Sequence, residues 1–153
     1  MPEVTRAFTI RRNIGDTWAF FNSPEDIAAC VPGCESVEQL DENTFNAAVG
    51  VKVGYTSLTF DTVVEITDRT EPTSMEVEGT AEPSGRMPGS ARVEGRLDMD
   101  EDGEDTSGEI TIEFAIRGRL GSLGESAFTH KSEEITEQFL ENVRAELEGE
   151  ATA

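Results

Sequence analysis

Two cysteines, one histidine, and a lysine and an arginine at the margins of apolar faces are the residues here whose types could do chemistry. Cys30 and Cys34 flank Val31-Pro32-Gly33. That spacing is not the C-x-x-C of a redox centre, and two thiols without a nearby histidine do not complete a tetrahedral zinc site. Small buried hydrophobes are the favoured reading, with a disulfide or a metal role as the alternative. His130 is the sole histidine. At about 100° per helical residue it falls about 140° from Ile135, on the wet side. It reads as a surface residue, and without it no Ser-His or Cys-His nucleophilic pair can be assembled. No metal site and no cofactor is expected.

Lys131 is placed differently, about 40° from Ile135 at the edge of an apolar stripe. Its stem either snorkels outward or brings an ammonium to the carbonyl or acidic head of a ligand. In the strands, only Arg6 and Thr62 are polar with inward parity, and no carboxylate shares it. General acid–base catalysis needs a positioned titratable group. None stands out, so the residues point to binding rather than to an enzyme.

The elements that must position these groups are legible from periodicity. Alternation of apolar and polar residues marks strands. Val4, Arg6, Phe8 and Ile10 share one face, as do Phe45, Ala47, Val49, Val51 and Val53. Leu58, Phe60, Thr62, Val64 and Ile66 follow, then Met75, Val77 and Gly79, then Ala91, Val93, Gly95, Leu97 and Met99. Ile110, Ile112, Phe114 and Ile116 close the series, and a shorter strand is expected over 36–40. Such alternation implies an antiparallel sheet with one wet face. Turns are expected at 41–43 and, around Gly103, at 100–106, with a longer Gly/Pro/Ser-rich loop over 81–90.

Ile14, Trp18 and Phe21 share a face of a short helix, and Ser23-Pro24 opens a second that Pro32-Gly33 stops. A long helix is expected from about Gly121 to Glu148, with the stripe Phe128, Ile135, Phe139, Val143 and Leu147. Its opposite face would carry Glu133, Glu137, Glu141 and Arg144. The fold class is therefore α+β: a curved antiparallel sheet of about seven strands, two short helices and a long C-terminal helix over the apolar side. One domain is expected over 1–149, with a short tail at 150–153. Loops 54–57, 81–90 and 118–123 gather at one end, bringing Gly54, Gly85, Gly89, Gly118 and Gly121 together. They are either the mouth of a gated pocket or ordinary hairpin turns.

The chain has 153 residues, with 32 acidic against 12 basic and a formal net charge of -20. Lys52 and Lys131 are its only lysines. A merely solubilising surface would explain the acidity, but the scarcity of lysine favours adaptation to molar salt, where a Debye length of about 3 Å screens carboxylate repulsion. Nucleic acid is disfavoured as a partner, because phosphates need a basic footprint. No apolar run is long enough to span a bilayer, and the N-terminus lacks the pattern of a signal peptide. A cytoplasmic protein is expected.

Trp18-Ala19-Phe20-Phe21-Asn22, then Cys30-Val31-Pro32-Gly33-Cys34-Glu35, resemble the opening signature of the CoxG family of carbon monoxide dehydrogenase subunits, within the START-like SRPBCC superfamily. Glu137-Gln138-Phe139-Leu140-Glu141-Asn142 is similar to its C-terminal motif, and Val49-Gly50-Val51-Lys52-Val53-Gly54 and Gly89-Ser90-Ala91 also fit. The resemblance covers nearly the whole chain. It implies a helix-grip fold that holds a hydrophobic ligand between sheet and helix. It also implies a molybdenum CO dehydrogenase as companion, brought to the membrane or coupled to respiratory quinone. Many members carry a membrane-associating tail beyond the domain, whereas this chain stops at Ala153. With the acidity opposing adsorption to anionic lipid, membrane association is doubtful.

The expected function is carriage of a quinone-, isoprenoid- or lipid-like molecule, as an accessory to such an oxidoreductase. The expected lining is Val49, Val51, Phe60, Val64, Met75, Val77, Val93, Gly95, Phe114, Phe128, Lys131, Ile135 and Phe139. The same residues could fill a solid core. A polyketide cyclase-like enzyme, and an assembly adaptor with a dry interior, are the competing readings. If the acidity is a salt adaptation, the melting temperature will rise substantially between about 0.1 and 2 M KCl as repulsion is screened. A flat or falling curve in differential scanning calorimetry would refute it.

Overall fold

The alternating segments pair as their patterning requires. The computed structural model describes residues 3–53, 55–84, 89–118 and 125–152. Its elements are β1 (Glu3–Ile10), α1 (Ile14–Phe21), α2 (Pro24–Cys30), β2 (Cys34–Gln39), β3 (Thr44–Val53), β4 (Thr56–Thr70), β5 (Ser74–Pro83), β6 (Gly89–Asp102), β7 (Asp105–Gly118) and α3 (Glu125–Thr152). The strands form one open antiparallel sheet in the order β1-β7-β6-β5-β4-β3-β2. Each hairpin places consecutive strands side by side, and β1 adds to the far edge beside β7.

Several boundaries move from those expected. β4 extends over 15 residues, well beyond 58–66. The β6–β7 hairpin turns on Gly103-Glu104 alone, with Gly103 at φ +65°, because the ladder runs out to the pair Asp102–Asp105. α3 continues to Thr152, so most of the expected tail is helical. Its expected start at Gly121 lies outside the described residues, as do Gly54, Gly85 and residues 86–88 and 119–123 of the proposed mouth.

Side-chain parity in the strands is as expected: Val4, Phe8 and Ile10 are buried in β1, and Ile110 and Phe114 in β7. α1 is capped by Asn13, whose Oδ1 accepts from Asp16 N at 2.8 Å, a bond that satisfies an otherwise orphaned helix donor. Ser23 occupies the N-cap of α2 without a side-chain cap bond. α1 and the C-terminal half of α3 close one end of the sheet. There Trp18, Phe20, Phe21, Leu140, Val143 and Leu147 pack with Phe8, Met99 and Ile110.

The face that α3 turns to the sheet differs from the expected stripe. Phe128, Thr136, Leu140, Val143 and Leu147 are buried, whereas Ile135 and Phe139 are half-buried. Thr136 tolerates burial because its hydroxyl donates to Ser132 O at 2.7 Å. Glu133 and Glu137, expected on the far side, instead meet the inward Arg6 at 2.8 and 3.4 Å. Arg144, also expected there, donates through Nε to Thr9 O at 3.2 Å. In this rotation Leu140, not Phe139, is buried, and the helix's charged side chains reach β1.

The segment after α2 is held by backbone contact. Gly33 has φ +81°, and Gly50 N donates to Gly33 O at 2.8 Å. A Cβ on Gly33 would stand 2.1 Å from Gly50 O, so only glycine fits. Asn142 Nδ2 of α3 donates to Cys30 O at 2.9 Å and ties α2 to the long helix.

The outer face of the sheet carries charge in register. Glu3, Glu113, Glu94, Glu78 and Glu65 are cross-strand neighbours in succession, and like charges directly opposite oppose pairing. Arg92 lies 3.7 Å from Glu78 and 3.8 Å from Glu94. A hydrogen bond with Glu3, with partial burial and repulsion from Glu3 and Glu94, holds the Glu113 carboxyl above its ordinary range.

The helix phase is testable by urea denaturation. Leu140→Ala will cost about 2–5 kcal/mol as a cavity in a filled region. Phe139→Ala will cost less, because its ring already meets solvent. The reverse order would show that the helix sits in the originally expected phase.

Candidate functional site

The long helix does not lie evenly on the sheet. Its main approaches are to β1, at one edge, and to β3, on the far side. Between them it bridges a trough floored by β4–β7. At the β1 side the fastening is polar. Arg6 meets Glu133 and Glu137, Arg11 binds Glu148 through its backbone N (3.1 Å) and guanidinium (3.2 Å), and Arg12 Nη1 donates to Leu147 O at 2.9 Å.

Beneath the bridge the buried apolar residues fall into two groups. One is the α1-side cluster already described, with Met75 and Leu97. The other, at the opposite end, contains Val4, Leu58, Phe60, Ala81, Phe114 and Phe128. Several inward-facing side chains are only half-buried: Ala47, Val49, Thr62 and Val64 outside both clusters, Val77 and Ile112 against the first, and Val93 against the second. Central strands under a helix should carry the most buried side chains of the domain. Here the ends of the trough are filled and its middle admits solvent. Small residues help to leave that space. The cross-strand row Ala91–Ala81–Thr62–Ala47 has no side chain larger than threonine.

The structure distributes the expected lining among these regions. Phe60, Phe114 and Phe128 lie in the second cluster, with Val51 and Val93 against it. Met75 lies in the first, with Val77 and Phe139 packed on it. Phe139 stands 6.4 Å from the Phe21 ring. Val49, Val64 and Ile135 are half-buried and belong to neither cluster. Gly95 is not an opening: a Cβ there would lie 2.9 Å from Val77 Cγ2, so that valine already fills the space. Lys131 is half-buried and its ammonium is 3.5 Å from Glu134 on the helix itself. His130 is exposed. Ile112, Ile116, Ala47 and Ala91 were absent from the expected lining, although strand parity already placed them inward.

Cys30 and Cys34 are free thiols. Cys30 is 1 % exposed, and burial pushes its thiol up to about 11, with repulsion from Glu146 and Asp26 adding to it. Among the described residues no group of acidic, histidine or cysteine side chains is arranged to hold a metal ion. No described helix is long and apolar enough to cross a membrane. Two open depressions on the outer face, of about 620 and 270 Å³, are lined chiefly by charged and hydroxyl side chains, Asp98, Asp100, Glu109 and Arg144 in the larger and Glu76, Glu94 and Arg96 in the smaller. The trough is the apolar site.

Residues 7–148 match the sequence pattern of CoxG, a carbon monoxide dehydrogenase subunit. The chain belongs to the CoxG family. Its architecture is shared with solved structures of low sequence identity. A conserved protein from Geobacillus kaustophilus superposes with a TM-score of 0.85 at 18% identity, covering 96% of this chain and 95% of that one. A START superfamily protein from Mycobacterium smegmatis gives 0.71 at 10% identity, covering 96% and 97%. The Zhui aromatase/cyclase from Streptomyces gives 0.69 at 17% identity, covering 95% and 93%. Such likeness establishes the START-like helix-grip fold and nothing finer. Comparison with curated protein sequences found no match.

The CoxG signature around Cys30 is therefore built into the scaffold, through its burial, Asn142 and the Gly33–Gly50 contact. Because the folded thiol ionises only near 11, against 9.0 for a free thiol, stability from this group declines as pH rises between those values. Iodoacetamide at mildly alkaline pH will label Cys34 in the native protein and Cys30 only after unfolding. Equal labelling of both in the native state, read by mass spectrometry, would show Cys30 to be a reactive thiol.

Proposed function

We propose that this CoxG protein binds a hydrophobic small molecule, quinone-, isoprenoid- or lipid-like, in the trough between α3 and the sheet. It carries that molecule without altering it. The half-exposure of the inward apolar side chains at the centre of the sheet is the observation that carries the reading. Exposed apolar surface in a concave site gains about 25 cal/mol for each Å² removed from water. A hydrocarbon body laid along Val49, Val64, Val93 and Ile135 would supply the packing that the two separated clusters lack. CoxG membership supports an accessory role beside a molybdenum CO-dehydrogenase-type enzyme, for which a lipophilic electron carrier is chemically suitable. The cytoplasm is the compartment in which we place it.

The titratable side chains near the trough favour binding over chemistry. Arg6 is committed to Glu133 and Glu137, and Lys131 to Glu134. A cyclase of the kind found among the fold's neighbours would need a free acid or base aimed at its substrate.

The test is to incubate the purified chain with a menaquinone, measure binding, and extract the ligand for mass spectrometry. The compound is expected to bind and be recovered unchanged. Val64→Phe, which fills the gap from mid-strand, is expected to weaken binding while circular dichroism stays native, although overpacking itself can cost about 1–3 kcal/mol of stability. Recovery of a cyclised or hydrolysed product would make the protein an enzyme. Failure of every hydrophobic ligand to bind would leave the adaptor with a dry interior.

A further inference from the structure

The floor of the trough is apolar almost throughout, and one hydroxyl interrupts it. Thr62 sits mid-strand in β4, between Phe60 and Val64 on the same face, with Ala47 and Ala81 as cross-strand neighbours. It is half-buried, and its Oγ1 has no hydrogen-bond partner among the described residues. The fully buried threonines, by contrast, are satisfied. Thr106 Oγ1 donates to Arg12 O at 2.8 Å, and Thr136 Oγ1 donates to Ser132 O at 2.7 Å. Thr62 shares the inward parity of Phe60 and Val64, and its cross-strand neighbours there are only alanines. Valine would have the same shape there and would leave no donor to be satisfied.

The charged groups at the margin of the trough point the same way. Arg6 and Lys131 are already paired with carboxylates of α3. A carboxylate or phosphate head would have to break one of those pairs and then face Glu133, Glu134 and Glu137. A carbonyl or hydroxyl asks for no cation, only for a donor or acceptor in an apolar wall. In the empty state, water entering the gap can bond Thr62, and a ligand that displaces this water without replacing its bond loses affinity.

We infer that Thr62 Oγ1 is the contact that selects the ligand, favouring an uncharged amphipathic molecule with a carbonyl or hydroxyl set within its apolar body. It discriminates against a bare hydrocarbon and against an acid-headed lipid. The inference rests on the trough being the binding site, and its test separates the two. The full chain and its Thr62→Val and Thr62→Ser variants are titrated calorimetrically with naphthoquinone, naphthalene and dodecanoate. Wild type and Thr62→Ser will bind naphthoquinone alike, and Thr62→Val about fivefold more weakly, the worth of one neutral hydrogen bond. Naphthalene will bind all three equally, dodecanoate more weakly than naphthoquinone, and Thr62→Val will melt no lower than wild type. Equal naphthoquinone affinity in wild type and Thr62→Val would overturn the role of Thr62 and leave the trough standing. So would parallel weakening of both ring probes, which would mark a change of shape, or a preference for dodecanoate. If no probe binds wild type, the trough itself fails as a site, and Thr62 with it.

Discussion

The fastening of α3 along β1 is the constraint on which the rest of the molecule depends. Arg6, Arg11 and Arg12 reach the helix from β1 and the segment after it, and Arg144 reaches back to Thr9. Exposed ion pairs contribute little individually, but here they lie in series along one edge and match the rotation that buries Leu140, Val143 and Leu147. With one flank held, the helix crosses the curved sheet, packs through Phe128 at one end and Leu140, Val143 and Leu147 at the other, and approaches β3 on the far side. A trough over β4–β7 follows from that geometry. A helix laid flat would have closed it.

Stability and function are separated along this helix. Its C-terminal half belongs to a filled core with Trp18, Phe21 and Phe8, and Asn142 joins it to α2. The Pro32-Gly33 turn is in turn clamped to β3 at Gly50. The segment 30–34 thus secures the scaffold at the closed end. Cys30 is kept as a protonated thiol by burial, and the apolar gap lies elsewhere. A scaffold whose strongest packing sits at one end can leave the region at its middle incompletely packed.

The outer face shows a second division of labour. The succession of glutamates from Glu3 to Glu65 places five carboxylates side by side across five strands. Their repulsion is only partly offset by Arg92. This charge faces away from the trough, so salt and pH act on the sheet's outer surface while the apolar interior keeps its own chemistry. The acidic total of the chain and the neutrality of the site are compatible because a sheet has two faces.

The sequence by itself determined the strands, their inward faces, the two short helices and the family. Period-two alternation is a local property, and a wet face opposite a dry one leaves it no alternative register. Thr62 and Arg6 were already visible as polar residues of inward parity. Three things were decided only by tertiary structure. The first is the phase of α3, because Phe139 and Leu140 are adjacent apolar residues, and only the packed helix, with Leu140 buried and Glu133 and Glu137 at Arg6, shows which of them faces the core. The second is Gly95, where the absence of a side chain reads as open space until Val77 is seen to fill it. The third is the gap itself. A filled core and a lined cavity need the same valines, isoleucines and phenylalanines, and the distance between helix and sheet, which separates them, is set by contacts between residues more than a hundred positions apart, such as Arg6 and Glu133.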